Sequence, residues 1–105
     1  MADQIKQLIE QNKVMVFSKD YCPFCTQAKQ LLTAKGIEFK AVEMDLIDGG
    51  GAMHQALKAY SGQNTVPNTY IGGVHIGGCD DLKAKAANGK LKEALDAAGV
   101  SYQGL

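Results

Sequence analysis

A chain of 105 residues has room for one domain around one hydrophobic core. Its apolar share of 46% is ordinary for a globular chain and argues against both disorder and a membrane span. Lysine plus arginine and aspartate plus glutamate both number 11, so no net positive field invites nucleic acid or an anionic membrane surface.

Ile5, Leu8 and Ile9 recur at helical spacing and predict an amphipathic helix over Asp3–Gln11. That stretch carries no apolar run of signal-peptide length, so a reducing compartment is expected: the cytosol, or an organelle if an address was removed. Val14-Met15-Val16-Phe17 is a continuous apolar run, as in a strand covered on both faces. After Ser18 to Cys25 comes a helix to Lys35, with Ala28, Leu31 and Leu32 inward and Gly36 as its stop. Ile37 to Met44 alternates and predicts a second strand. Strand, helix and strand over some 30 residues make a right-handed βαβ unit.

Asp48-Gly49-Gly50-Gly51 reads as a flexible turn. Met53, Ala56, Leu57 and Tyr60 then share one face of a third helix ended by Gly62. Asn68–Ile71 and Val74–Ile76 are strands joined by the two-residue hairpin signal Gly72-Gly73. Cys79 or Asp80 through Ala87 is helical, as is the segment holding Leu91, Leu95 and Ala98, and Val100–Leu105 is expected to be loosely ordered. Met15, Met44 and Met53 are read as core fillers. The order α-β-α-β-α-β-β-α-α implies an α/β fold of thioredoxin-like architecture: a four-stranded mixed sheet with about five helices on its two faces.

Three cysteines are an odd number for a disulfide framework, and two of them sit in Cys22-Pro23-Phe24-Cys25. A loop that short stabilises by only about 2 kcal/mol in the loop-entropy account, so chemistry explains the pair better than stapling does. Proline suits the first helical position, which makes Cys22 the N-cap and lets its sulfur accept the N–H groups of Phe24 and Cys25. An ordinary thiol, with a pKa of about 8.5, is only about 3% thiolate at pH 7. The helix dipole supplies up to about 2 kcal/mol, roughly 1.5 pKa units, and Lys19 lies three residues upstream. Cys22 is therefore the expected nucleophile and good leaving group. Cys25, one turn in, is less exposed and is the resolving thiol. A zinc site needs four ligands, and beyond the pair only Cys79, His54 and His75 are candidates, without a second paired motif.

Lys19-Asp20-Tyr21-Cys22-Pro23-Phe24-Cys25, Thr65-Val66-Pro67 and Gly77-Gly78-Cys79-Asp80-Asp81 together resemble the dithiol glutaredoxins, in their order and spacing and over nearly the whole of residues 1–105. Phe24 stands where the family more often has Tyr. The resemblance implies a glutathione-dependent thiol–disulfide oxidoreductase, with Cys22 and Cys25 catalytic, no permanently bound cofactor and glutathione as co-substrate. It implies a groove beside Cys22, a cis peptide bond before Pro67 and strand-like pairing of Val66 with the tripeptide. It places Lys19 and Gln63 at the glycyl carboxylate, and the helix start at Gly78, Cys79 and Asp80 at the γ-glutamyl end, with Phe24 and Thr65 completing the contact set. Implied partners are glutathionylated or disulfide-bearing proteins and, indirectly, glutathione reductase with NADPH; a monomer is expected. The alternative implied by the family is a [2Fe–2S] carrier, which Pro23 disfavours. Cys79 is read either as a small buried hydrophobe or as an accessible thiol, and His54 and His75 as surface residues without a role.

Overall fold

The computed structural model describes residues 2–105. The elements are α1 (Ala2–Gln11), β1 (Val14–Ser18), α2 (Pro23–Ala34), β2 (Lys40–Glu43), α3 (Gly50–Ser61), β3 (Asn68–Ile71), β4 (Val74–Gly77), α4 (Cys79–Asn88) and α5 (Lys90–Ala98). The strands form one sheet in the order β2-β1-β3-β4. β1 runs parallel to β2, with Val16 beside Ala41, and antiparallel to β3, with Val16 beside Thr69. β3 and β4 form the antiparallel hairpin.

The unbroken apolar run of β1 now has its physical reason. Alternate side chains of a strand face opposite sides of a sheet, and both sides are covered. Val14 and Val16 pack with Ala28, Leu32, Leu82, Leu91 and Leu95 of α2, α4 and α5. Met15 and Phe17 pack on the other side with Ile5, Ile9, Met53 and Leu57 of α1 and α3. Met15, Met44 and Met53 are all buried in this second layer, as the sequence led one to expect.

Three local expectations give way. The second strand is shorter than Ile37–Met44 because Ile37 is part of the end of α2. Gly36 takes a positive φ of 66°, its N–H bonds the Thr33 carbonyl at 3.0 Å, and the Ile37 N–H bonds the Leu32 carbonyl at 3.0 Å. This is a Schellman cap, in which the residue after the glycine packs against the helix; Ile37 is buried accordingly. Gly50 and Gly51 are not a flexible turn but the first turn of α3. A Cβ on buried Gly50 would run into the Met44 carbonyl oxygen, so only glycine lets the helix start that close to the end of β2.

The C-terminal tail is also tied down rather than loose. The Gln103 N–H donates to the Lys35 carbonyl at 2.7 Å, the Lys35 ammonium donates to the Gly104 carbonyl at 3.0 Å, and Val100, Tyr102 and Leu105 pack on the α2/α4/α5 core. No described helix is long and apolar enough to cross a membrane.

Candidate active site

Parallel strands of α/β folds deliver their chemistry at their C-terminal ends, and β1 ends at Ser18, four residues before Cys22. The Cys22 N–H bonds the Lys19 carbonyl at 3.1 Å, which closes the turn. Cys22 is the N-cap of α2 in extended backbone (φ −85°, ψ 116°), with Pro23 at the first helical position. Its Sγ accepts the Cys25 N–H at 3.4 Å and lies 3.7 Å from the Val66 carbonyl oxygen. One of the two expected amide contacts is therefore made, from Cys25, and Cys22 is half-buried at the surface. Phe24 (56% exposed) and Tyr21 (72% exposed) flank it in solvent. Cys22 and Cys25 are not joined by a disulfide.

Cys25 differs sharply from its neighbour. It is fully buried, and burial, opposed by hydrogen bonding to the Lys19 backbone and the Ser18 hydroxyl, pushes its thiol up to about 11. Ser18 is itself buried, and its hydroxyl donates to Glu43 at 2.6 Å. Glu43 also pairs with Lys29 at 3.0 Å. On the neighbouring turn, the Asp20 N–H bonds the Asp45 carboxylate at 2.9 Å, which ties the loop after β2 to the segment that presents Cys22.

The second block of the sequence arrives from the other side. The Val66–Pro67 peptide is cis, and the pairing of β3 begins at Asn68, so the Val66 main chain carries no strand partner. The third block lies against the second. The Gly78 N–H donates to the Asp81 carboxylate at 2.9 Å, fixing the start of α4. A Cβ on Gly78 would sit 3.8 Å from the Pro67 carbonyl oxygen and 3.9 Å from Gln63 Nε2. Residues more than 40 positions apart thus converge around one half-exposed sulfur.

Gln63 is turned onto its own loop. Its Nε2 donates to the carbonyls of Thr65 and Pro67, both at 2.9 Å. Cys79 is buried, its Sγ 4.0 Å from Gln27 Oε1, which favours the small-hydrophobe reading. Sequence reasoning missed Asp81 as the cap of α4, although an acidic residue three after an N-cap is a capping-box signal. It also gave no role to the histidines. His54 contacts the Asn64 carbonyl at 2.9 Å, and His75 reaches Gln63 and Asn68. Their partners are brought to them only by folding. Cavities of about 570 and 360 Å³ lie elsewhere, the first around Lys13 and Gly99 beyond the opposite end of β1, the second on the outer side of α2. No three His, Cys, Asp or Glu gather as a metal site among the described residues.

A half-exposed N-cap cysteine, a buried second cysteine one turn in and a cis-proline segment facing them, all on this sheet, define a thiol–disulfide oxidoreductase of thioredoxin-like fold. The glutaredoxin family model matches residues 14–76. A glutaredoxin of Ricinus communis is 49% identical over 95 residues, spanning 90% of this chain and 93% of that protein, and glutaredoxin-C2 of Arabidopsis thaliana is 46% identical over 95 residues, 90% and 86% respectively. Among solved structures, a buckwheat glutaredoxin–glutathione complex superposes with a TM-score of 0.90 at 41% identity, covering 93% of this chain and 89% of that one. The chain belongs to the glutaredoxin family, and is a glutathione-dependent oxidoreductase of the dithiol kind.

Proposed function

We propose that this enzyme chiefly removes glutathione from protein–glutathione mixed disulfides, using Cys22 alone, and keeps Cys25 for protein disulfides. The contrast between the two sulfurs carries this reading: one half-exposed at a helix start, the other fully buried with its thiol pushed up to about 11. Thiolates, not thiols, attack disulfides. In the monothiol route the Cys22 thiolate attacks the glutathionyl sulfur, and the client's sulfur leaves as a thiolate and takes up a proton. A second glutathione thiolate then attacks the glutathionyl sulfur on Cys22, which releases glutathione disulfide and restores Cys22. In the dithiol route Cys25 must lose its proton and attack Cys22, displacing the client thiol and leaving a Cys22–Cys25 disulfide for two glutathiones to reduce. Because so little Cys25 is deprotonated near neutrality, the mixed disulfide outlives the encounter and the first route dominates.

The site residues fit a docked tripeptide. The main chain of Val66, held before Pro67 and outside the pairing of β3, suits strand addition of an extended peptide. The N–H groups at the start of α4, Gly78 to Asp80, suit the γ-glutamyl carboxylate, with the Asp80 carboxylate available for the ammonium. Lys19, half-buried beside Cys22, suits the glycyl carboxylate. Phe24 and Thr65 are exposed at the rim. Gln63, with its amide nitrogen donating to two carbonyls of its own loop, supports this edge. Glutathione reductase with NADPH regenerates glutathione, in a reducing compartment such as the cytosol.

The test is turnover of a glutathionylated peptide by purified protein, coupled to glutathione reductase and NADPH. Cys22→Ser is expected to abolish it, and Cys25→Ser to retain most of it while losing reduction of a protein disulfide. A Cys25→Ser variant as inactive on the mixed disulfide as Cys22→Ser would overturn the monothiol route.

A further inference from the structure

The segment Gly62–Pro67 lies outside every helix and strand, yet its carbonyls and side chains are held from three directions. Gln63 Nε2 donates to Thr65 O and Pro67 O, which leaves Gln63 Oε1 as an acceptor. His75 Nε2 lies 3.2 Å from that oxygen and 2.9 Å from Asn68 Oδ1. Asn68 Nδ2 donates to the Ser61 hydroxyl at 3.0 Å, so Asn68 Oδ1 is an acceptor too. Facing two acceptors, His75 Nε2 must carry the hydrogen, as it does in the Nε2–H tautomer or the imidazolium. From α3, His54 Nε2 lies 2.9 Å from the Asn64 carbonyl oxygen, and it too must donate. The Ser61 hydroxyl, anchored on the Leu57 carbonyl at 2.9 Å, accepts the Gln63 N–H at 3.1 Å.

The sheet explains why His75 can reach. Tyr70 pairs with His75, but Thr69 pairs with Gly77, so Ile76 is the extra residue of a bulge in β4. Asn68 and Tyr70 share one face of β3, with His75 opposite Tyr70 and their rings 5.0 Å apart. His75 therefore leans along that face to Asn68 and across to Gln63.

We propose that His75 and His54 are positioning residues for glutathione, fixing from β4 and from α3 the loop whose Val66 main chain receives the tripeptide. This rests on the reading that glutathione docks at Val66, and it adds what preorganises that edge. Neither histidine needs to touch substrate or reacting sulfur. An edge already rigid loses less freedom on binding, so the clamp acts on docking and not on sulfur exchange.

The experiment compares wild type, His75→Leu, His75→Gln and His54→Leu on a glutathionylated peptide. Glutamine places an amide N–H the same number of bonds from Cα as His Nε2, so it restores the donor without the ring. His75→Leu is expected to raise KM for the peptide roughly five- to tenfold, the worth of about one hydrogen-bonded clamp, with kcat and the iodoacetamide rate at Cys22 unchanged. His75→Gln is expected to recover most of the loss, and His54→Leu to raise KM in the same sense. Three results would overturn the proposal: unchanged KM in His75→Leu, a kcat loss matching the KM change together with a lowered melting temperature, or failure of His75→Gln to rescue. Failure of the docking reading looks different, since wild type itself would then show no preference for the glutathionylated peptide over the same peptide in a disulfide with cysteine.

Discussion

Removing Cys22 exposes the reluctance of Cys25 to direct measurement. In Cys22→Ser, the burial that dominates the Cys25 shift remains, while the smaller contributions from the Cys22 side chain are lost. At a pKa of about 11 only about one Cys25 in 10⁴ is a thiolate at pH 7, against about one in 10² at its ordinary value of 9.0. Iodoacetamide labelling of Cys25, followed by mass spectrometry of the peptide that carries it, is expected to run up to a hundredfold slower at pH 7 than labelling of an exposed cysteine. The rate should climb about tenfold per pH unit through pH 9 without levelling. Restricted access alone would lower the plateau and leave the midpoint in place, so the profile separates the two causes. The direction for stability follows by linkage. Below pH 9 the folded and unfolded chains both hold this proton; between 9 and about 11 the unfolded chain releases it first, so stability contributed by the buried neutral thiol is lost as pH rises through that window. A labelling midpoint at or below 9 in the folded variant would refute the reasoning, and with it the account of why the mixed disulfide on Cys22 survives.

Leu32, fully buried between β1 and α4, should lose about 2–5 kcal/mol of unfolding free energy when cut to Ala, read by urea denaturation. The Thr69 hydroxyl is buried on β3 without a hydrogen-bond partner, so Thr69→Val is expected to be neutral or stabilising by about 1 kcal/mol in the same assay, where most core changes destabilise. Gly77 has a φ of 113°, and a Cβ there would run into the Asp81 carboxylate. Gly77→Ala should therefore lower the melting temperature and also raise KM for the glutathionylated peptide, because Asp81 holds the start of α4 through Gly78.

The element order and the covering of the sheet on both faces could be read before folding, because runs and periodic patterns of apolar residues are local, whereas the sharing of the helices between the two layers came only with the structure. The nucleophile could be read for the same reason: proline after Cys22 and a helix after proline place a sulfur at a helix start. Ile37 shows the limit of pattern. It completes an alternating run, yet the backbone uses it to cap α2, and the hydrogen bond to Leu32 decides. The tail misleads similarly, since nothing in Val100–Leu105 announces that the Lys35 carbonyl will be waiting for Gln103.

Cys25 and the histidines mark the boundary most clearly. The sequence alone determined that two sulfurs stand one turn apart at the head of a helix, because that spacing is a property of the chain. Only the tertiary structure decided how unequal they are, since the burial that holds the proton on Cys25 comes from surrounding elements. Likewise two histidines without a local motif acquired partners on Asn64, Gln63 and Asn68 only when α3, β3 and β4 were packed around one loop. Local chemistry is written in neighbours along the chain; desolvation and clamping are written in neighbours in space.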